Sequence, residues 1–238
     1  MNIVLIGYGK MGHAIEEIAL QNGHEIVLKI SIENTEDMTA TNLQKADVAI
    51  EFTGPESAAE NLKKCFDTGI PVVCGSTGWL DKWEEIKKNC LSKQGALVYA
   101  SNFSIGVNLF FELNKYLSNL MKEYETYDVI IEEIHHTQKK DSPSGTAITL
   151  AEQILDNIQR KKRWVNDPSN NAEELEITSE RIDPAPGTHK IKYTSAIDDI
   201  EIIHTAHNRM GFAGGAVKAA EFLKGKKGIF TMKDVLGL

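Results

Sequence analysis

The sequence predicts an α/β chain in two parts: a doubly wound parallel sheet, then an α+β part with an open mixed sheet. Three observations predict it. Short continuous apolar runs alternate with helical patterns over about the first hundred residues. The turn after the first run is Gly7-Tyr8-Gly9-Lys10-Met11-Gly12. Beyond the long helical pattern that ends at Met121, the grammar changes to strands separated by turns, with few intervening helices.

Residues 3–6, Ile-Val-Leu-Ile, suit a parallel strand covered on both faces. The glycine turn matches G-x-G-x-x-G. Met11, Ala14, Ile15, Ile18 and Ala19 then mark one helix face, and Gly23 stops it. Residues 25–32 read as a second strand with Glu33 at its end. Strand, glycines, helix, strand and acid arrive in the order a dinucleotide needs. The glycines let a pyrophosphate approach the helix N-terminus, and the acid accepts from the adenosine ribose hydroxyls. This predicts a Rossmann-like nucleotide domain. Glu33 repels a 2′-phosphate and Asn34 adds no positive charge, which favours NADH, while Lys10 in the loop leaves NADPH admissible.

Residues 34–46 are polar and without pattern. A strand over 47–52, a Thr53-Gly54-Pro55 turn and a helix over 56–67 follow. A strand over 71–74 leads into Gly75-Ser76-Thr77-Gly78, which resembles a second loop facing the cofactor. A helix over 81–91 and a strand over 96–100 complete the alternation, and Ser101-Asn102-Phe103-Ser104 breaks it.

Residues 107–121 read as a long amphipathic helix with Leu109, Phe110, Leu113, Tyr116, Leu117 and Leu120 in register. A strand over 127–134 runs into the stretch Glu133 to Ala147, EIHHTQKKDSPSGTA. A helix with Ala147, Leu150, Ala151, Ile154 and Leu155 on one face follows it. His135 and His136, as neighbours at a strand end, face opposite ways and so do not share one role. An imidazole exchanges protons near neutral pH, and an unshifted lysine such as Lys139 donates a proton or holds an anion. Ser144 is a natural N-cap, Pro143 discourages an earlier start, and Gly145 and Thr146 open the helix. A proton donor beside such an anion seat points to a small acidic substrate. His189, His204 and His207 are further possible metal ligands, but no H-E-x-x-H and no zinc spacing occur, so no metal is expected.

Residues 166–174 are a loop by composition. Strands are predicted over 175–181, 189–195 and 200–206, with His189, Ile191 and Tyr193 on one face of the middle one. One face of this sheet is expected to be relatively apolar, and its edges need protection, so pairing with other subunits is expected to cover both. Arg209 precedes Gly214-Gly215 and a helix over 216–223, where it can clamp a carboxylate. Thr231 to Asp234 resembles a capping box. The last helices return to the nucleotide domain, giving expected domains of 1–102 with 210–238, and 103–209.

The totals agree. The chain has 238 residues, 42% hydrophobic, and a net charge of −8 without a basic block, which argues against nucleic-acid binding. Lys161-Lys162-Arg163 is read as a solvated face after a helix. Cys65, Cys74 and Cys90 form no metal or redox motif and suit a reducing cytoplasm. The opening apolar run is too short for a signal peptide, and no stretch has the length of a membrane span.

Six segments carry a resemblance: GYGKMG, GSTG, ASNFSIGVN, EIHHTQKKDSPSGTA, HTAHNRMGFAGGA and MKDVLGL. Through them the chain resembles the 4-hydroxy-tetrahydrodipicolinate reductase family, formerly dihydrodipicolinate reductase, over nearly its whole length. The resemblance implies hydride transfer from NADH or NADPH to a cyclic unsaturated dicarboxylate with loss of water, in lysine biosynthesis through diaminopimelate. It implies His135 as proton donor and acceptor and Lys139 as proton donor. His136, Ser144, Gly145, Thr146 and Arg209 would meet the substrate carboxylates. Gly7, Tyr8, Gly9, Lys10, Met11, Gly12, Glu33, Gly75, Ser76, Thr77, Ala100, Ser101, Asn102 and Phe103 would line the cofactor. A homotetramer built by second-domain sheets is also implied. Ser142 and Ser76 depart from the alanine and threonine common in the family, and Asn34 replaces an arginine that some members use for NADP. Two other readings are an aspartate or homoserine dehydrogenase, which needs no His-His and Ser-Gly-Thr pairing, and a non-catalytic nucleotide sensor, which binds without turnover.

Overall fold

The computed structural model describes residues 1–238, which divide into two compact units: Met1–Ile105 with Arg209–Leu238, and Gly106–Asn208. Unit one begins β1 (Asn2–Ile6), α1 (Lys10–Gln21), β2 (Glu25–Ile30), α2 (Ala40–Leu43), β3 (Val48–Glu51), α3 (Pro55–Asp67), β4 (Val72–Cys74), α4 (Trp83–Ser92) and β5 (Ala96–Tyr99). Then come α5 (Ile105–Met121), β6 (Asp128–His135), α6 (Gly145–Asn157), β7 (Arg163–Val165), β8 (Glu174–Arg181), β9 (Gly187–Thr194) and β10 (Asp199–Ala206). The chain returns to unit one with α7 (Met210–Leu223), β11 (Gly228–Phe230) and α8 (Met232–Leu236).

Unit one is a six-stranded sheet in the order β11-β5-β4-β3-β1-β2, parallel throughout. Its strands are apolar runs because both faces are covered. Successive residues of β1 go to opposite cores: Ile3 and Leu5 join α1, α7 and α8, while Val4 and Ile6 join α2, α3 and α4. Each such fully buried side chain contributes about 1.5–3 kcal/mol. Pro55 occupies the first turn of α3, where its missing N–H costs no helical bond. Small residues at Ala213, Ala216, Ala219 and Ala220 bury α7 within the first of these cores. A capping box at Thr231 and Asp234 starts α8.

Unit two is a five-stranded mixed sheet, β10-β9-β6-β8-β7, with β6 parallel to β8 and antiparallel to β9. Its core joins Val129, Ile131, Leu175, Ile177, Ile191 and Tyr193 of the sheet to Leu150, Ala151 and Ile154 of α6 and Phe110 of α5.

Several sequence expectations are corrected. β2 stops at Ile30, and Ile32 is 95% exposed. The cause is Asn34, whose side chain accepts from the Ser31 N–H and donates to the Lys29 carbonyl, turning the chain. Residues 34–46 hold a 3₁₀ turn over Thr35–Asp37 and α2, whose Thr39 cap accepts from the Asn42 N–H. The two short strands β7 and β11 were not expected. Lys161 is buried rather than solvated, its ammonium bonding the Glu174 carbonyl and the Asp128 carboxylate.

α5 turns the other way from its apolar register. Of the six positions only Phe110 is fully buried, with Val107, Asn114, Ser118 and Met121, whereas Leu109 (51%) and Leu120 (48%) are exposed. The inward face is fixed by polar bonds to α6. Asn114 donates to the Leu150 carbonyl and to Gln153 at 2.9 Å, and Ser118 accepts from Asn157. The side of the sheet turned away from the helices is mixed: Ile130, Ile134 and the exposed Ile203 share it with ion pairs. Lys190 pairs with Glu132 and Glu201 there, and Lys192 with Asp199.

Candidate active site

The site-bearing stretch starts at the inward face of β6. Val129, Ile131, Glu133 and His135 alternate inward, so a carboxylate and an imidazole take core positions at the end of an apolar row. The Glu133 side chain is fully buried, which is costly unless it is paired. It is paired on several sides. The Ser144 N–H donates to Oε1 at 3.0 Å and to Oε2 at 3.2 Å. Arg181, at the end of β8, brings Nη2 to 3.3 Å. The Nε2 atoms of His135 and His189 approach to 3.5 and 3.6 Å. Burial pushes the Glu133 carboxyl up, but bonds from His135, His189 and Ser144 outweigh it and hold the carboxyl far below the usual carboxylate range.

His189 lies on β9, with Nε2 at 3.1 Å from Ser144 Oγ and 3.4 Å from His135 Nε2. The two rings meet edge to face at 5.1 Å. Burial lowers the His189 pKa, with Glu133 partly opposing, so the ring stays neutral. Glu133, His135 and His189 lie within 4.8 Å of one another, a spacing that can hold a cation. Arg181 and the Ser144 N–H already partner that carboxylate.

One stability consequence follows. Glu133 and His189 both have folded pKa values held below their ordinary values, so as pH falls toward and below those ordinary values the unfolded chain binds more protons than the folded one. Stability therefore falls as pH drops. Thermal melts of wild type and His189→Asn from pH 7 to pH 5 check this. The wild-type melting temperature declines across that window, and the variant declines less; parallel declines would remove His189 as a cause.

The loop after β6 is tied back by Arg181, which donates to the Asp141 carbonyl at 2.6 Å and the Lys139 carbonyl at 3.4 Å. Lys139 Nζ bonds both Asp141 carboxylate oxygens at 2.8 Å. His136, just past the strand, has a buried Nδ1 without a partner. Ser144 caps α6, its side chain accepting from the Ala147 N–H, and no acid lies in the first turn. An added Cβ at Gly145 meets nothing within 4 Å, so the approach to that backbone is open.

In unit one, Gly7 adopts φ +98°, and an added Cβ would sit 2.2 Å from the Phe52 carbonyl oxygen. The tight turn needs glycine. At Gly9 a Cβ would meet nothing, and α1 starts there with no side-chain cap and no acid in its first turn. Those features fit a bound pyrophosphate. Lys10 is exposed, Met11 packs on the core, and Gly12 is buried. The Tyr8 hydroxyl bonds Glu16, which also pairs with Lys29 at 2.6 Å. Glu33 is exposed in the turn after β2, its N–H bonding Ser31 Oγ.

Gly75 and Thr77 flank Ser76, which is buried and accepts from the Thr53 N–H at 2.8 Å, so its hydroxyl faces protein. Ala100 is half-buried and Ser101 exposed, and Asn102 accepts from the Ser104 N–H. Phe103 lies in the unit-one core, and its side chain presents no free surface to a cofactor. Arg209 caps α7 and belongs to unit one, not to the unit that holds His135.

The structure thus brings His135 and Ser144 together, with Lys139 tied to the same cluster through Arg181. Sequence reasoning missed Glu133 and Arg181 and weighed His189 only as a metal ligand. The alternation that places Glu133 on an apolar face was the available signal; nothing local marks Arg181.

Comparison with known proteins gives matches to "Dihydrodipicolinate reductase, N-terminus" over residues 1–103 and "Dihydrodipicolinate reductase, C-terminus" over residues 106–236. A 4-hydroxy-tetrahydrodipicolinate reductase of Christiangramia forsetii is 53% identical over 238 residues, covering 99% of this chain and 98% of the relative. One from Neisseria gonorrhoeae is 34% identical over 234 residues, covering 94% and 84%. A dipicolinate-bound dihydrodipicolinate reductase from Paenisporosarcina sp. TG-14 shares the fold, with a TM-score of 0.75 and 22% identity over 97% of both chains. Carrying both halves of that architecture in one continuous match, the chain belongs to the dihydrodipicolinate reductase family.

Proposed function

We propose that this reductase acts on 4-hydroxy-tetrahydrodipicolinate with His135 as the proton donor and acceptor, Lys139 as a second proton donor, and the start of α6 as the carboxylate seat. The family is one of oxidoreductases of lysine and diaminopimelate biosynthesis, and unit one is its pyridine-nucleotide half. One hydride and one proton enter the ring and one water leaves it. A bound nicotinamide supplies the hydride.

The observation that carries the reading is the Glu133 carboxylate accepting from the Ser144 N–H, which puts the His135 strand end and the α6 N-terminus at one point. Electron density left on the ring by hydride is quenched by a nearby acid, a step worth about 10²–10⁴ in rate. Gly145 and Thr146 give backbone to one carboxylate, and Ser144 and His136 add side-chain contacts. Arg209 is assigned to a carboxylate by its place in the HTAHNRMGFAGGA segment alone. The substrate class is tested by following NADH oxidation on freshly generated hydroxytetrahydrodipicolinate, with aspartate and homoserine as controls. Turnover of a control alone would replace the assignment.

NADH is the preferred cofactor on this reading. Glu33 accepts from a ribose 2′-hydroxyl and repels a 2′-phosphate. Asn34 is spent on the Lys29 carbonyl and on Asp37. Glu33→Ala raises KM for NADH about tenfold, one lost charged hydrogen bond, and changes KM for NADPH less. Equal changes would remove Glu33 from the ribose.

The same reading includes a cytoplasmic homotetramer. The three cysteines are free and buried, as a reducing compartment allows. No helix is long and apolar enough to cross a membrane. Leu109, Leu113, Tyr116 and Leu120 of α5 offer apolar surface for a subunit contact.

A further inference from the structure

We propose that Glu133 is the positioning residue for the acid/base imidazole: its carboxylate holds the His135 ring and sets the charge its Nε2 edge faces, with Arg181 moderating that charge. The inference rests on the role given to His135 above.

The geometry is specific. Glu133 sits two residues before His135 on the same inward face of β6, so both side chains reach the same space. The His135 Nε2 edge is turned to Glu133 at 3.5 Å and to His189 Nε2 at 3.4 Å. On another side the ring is pinned by Gly187, where even a Cβ would lie 2.9 Å from His135 Cε1. A ring confined there has one orientation.

The charges facing the pair come from every neighbouring element. Arg181 of β8 approaches Glu133 at 3.3 Å. His189 of β9 presents a neutral ring. Ser144, at the start of α6, gives its N–H. Lys139 and Asp141 in the intervening loop neutralise each other at 2.8 Å. The net balance is one anion against one guanidinium. The guanidinium also serves two loop carbonyls, through Nε to Lys139 and Nη2 to Asp141. The carboxylate thus stands between two cationic partners, the His135 Nε2 edge at 3.5 Å and Arg181 Nη2 at 3.3 Å, which compete for it.

Removing the anion and removing the guanidinium then act with opposite sign. Glu133→Gln keeps shape and one acceptor but loses charge. Its alkaline limb of kcat moves to lower pH by about one unit, the low end of what a close opposite charge does. On that limb one unit is about a tenfold loss of rate, shrinking toward the acid plateau. Arg181→Gln moves the limb to higher pH. KM for NADH stays within about twofold in both, because uniform cofactor binding is untouched.

The experiment is the pH profile of kcat from pH 5.5 to pH 9.5 for wild type and both variants, with thermal melts alongside. Wild-type turnover of hydroxytetrahydrodipicolinate comes first; its failure overturns the functional reading itself. With wild type active, opposite shifts of the two limbs establish the positioning role. Limbs that coincide with wild type, with loss equal at every pH, overturn it and leave Glu133 a structural anchor. If Glu133→Gln fails to fold, the Arg181→Gln limb decides alone, and an unmoved limb there overturns the proposal.

Discussion

His135→Gln lowers kcat for hydroxytetrahydrodipicolinate by about 10²–10⁴, the usual contribution of a positioned acid, while KM for NADH stays within about twofold. Glutamine can still bond Glu133, so the buried carboxylate keeps a partner and the fold survives. What is lost is a group that takes and returns a proton near neutral pH. The burden falls on His135 because its ring is already confined by Glu133, His189 and Gly187. Steady-state kinetics at saturating NADH, with a matched thermal melt, check it. A kcat equal to wild type would take His135 out of the mechanism and leave Lys139 as the proton source.

The second large effect is expected in unit one. Gly7→Ala destabilises the protein by about 3 kcal/mol, from a left-handed backbone that costs a side chain about 1–2 kcal/mol and an overpacked turn of comparable cost. The clash is with the carbonyl carbon and oxygen of Phe52, at 2.5 and 2.2 Å, which no rotamer change relieves. The melting temperature falls by about 6–12 °C for a chain of this size. NADH binding weakens with it, since the glycine turn and the backbone just past β3 must part to make room. A Gly7→Ala protein that melts like wild type would mean that this turn is not as drawn.

These two sites differ in how far the sequence disclosed them. The glycine turn was legible because everything it needs is local: an apolar run, three glycines and a helix face within about twenty residues. The strand–helix alternation of unit one was legible for the same reason, each element carrying its own period. The Glu133–His135–His189 cluster was only half legible. His135, Lys139 and Ser144 share one short stretch, but Glu133, Arg181 and His189 meet from three strands, with Glu133 and Arg181 48 positions apart. No spacing rule connects them, and only sheet pairing does so, with β6 between β8 and β9.

α5 shows the opposite failure. Its leucines made a clear apolar stripe, yet Asn114 and Ser118 take the inward face because each finds a partner on α6. Hydropathy scores residues singly and cannot see that a buried amide is satisfied. Lys161 misled in the same way: a lysine after a helix reads as solvated until Asp128 and the Glu174 carbonyl are found to receive it. The turn after β2 was missed because Asn34 acts by side-chain bonds to residues 29, 31 and 37.

The central claim is that a dicarboxylate ring is gripped at the start of α6 beside His135 and reduced there by a nucleotide. A crystal structure with pyridine-2,6-dicarboxylate and NADH tests it most directly. The account predicts one carboxylate on the Gly145 and Thr146 backbone, with Ser144 and His136 in contact. It also predicts His135 and Lys139 beside the ring and nicotinamide C4 about 3–3.5 Å from it. A diacid bound away from Ser144–Thr146, with NADH in place on the Gly7–Gly12 turn, would contradict it.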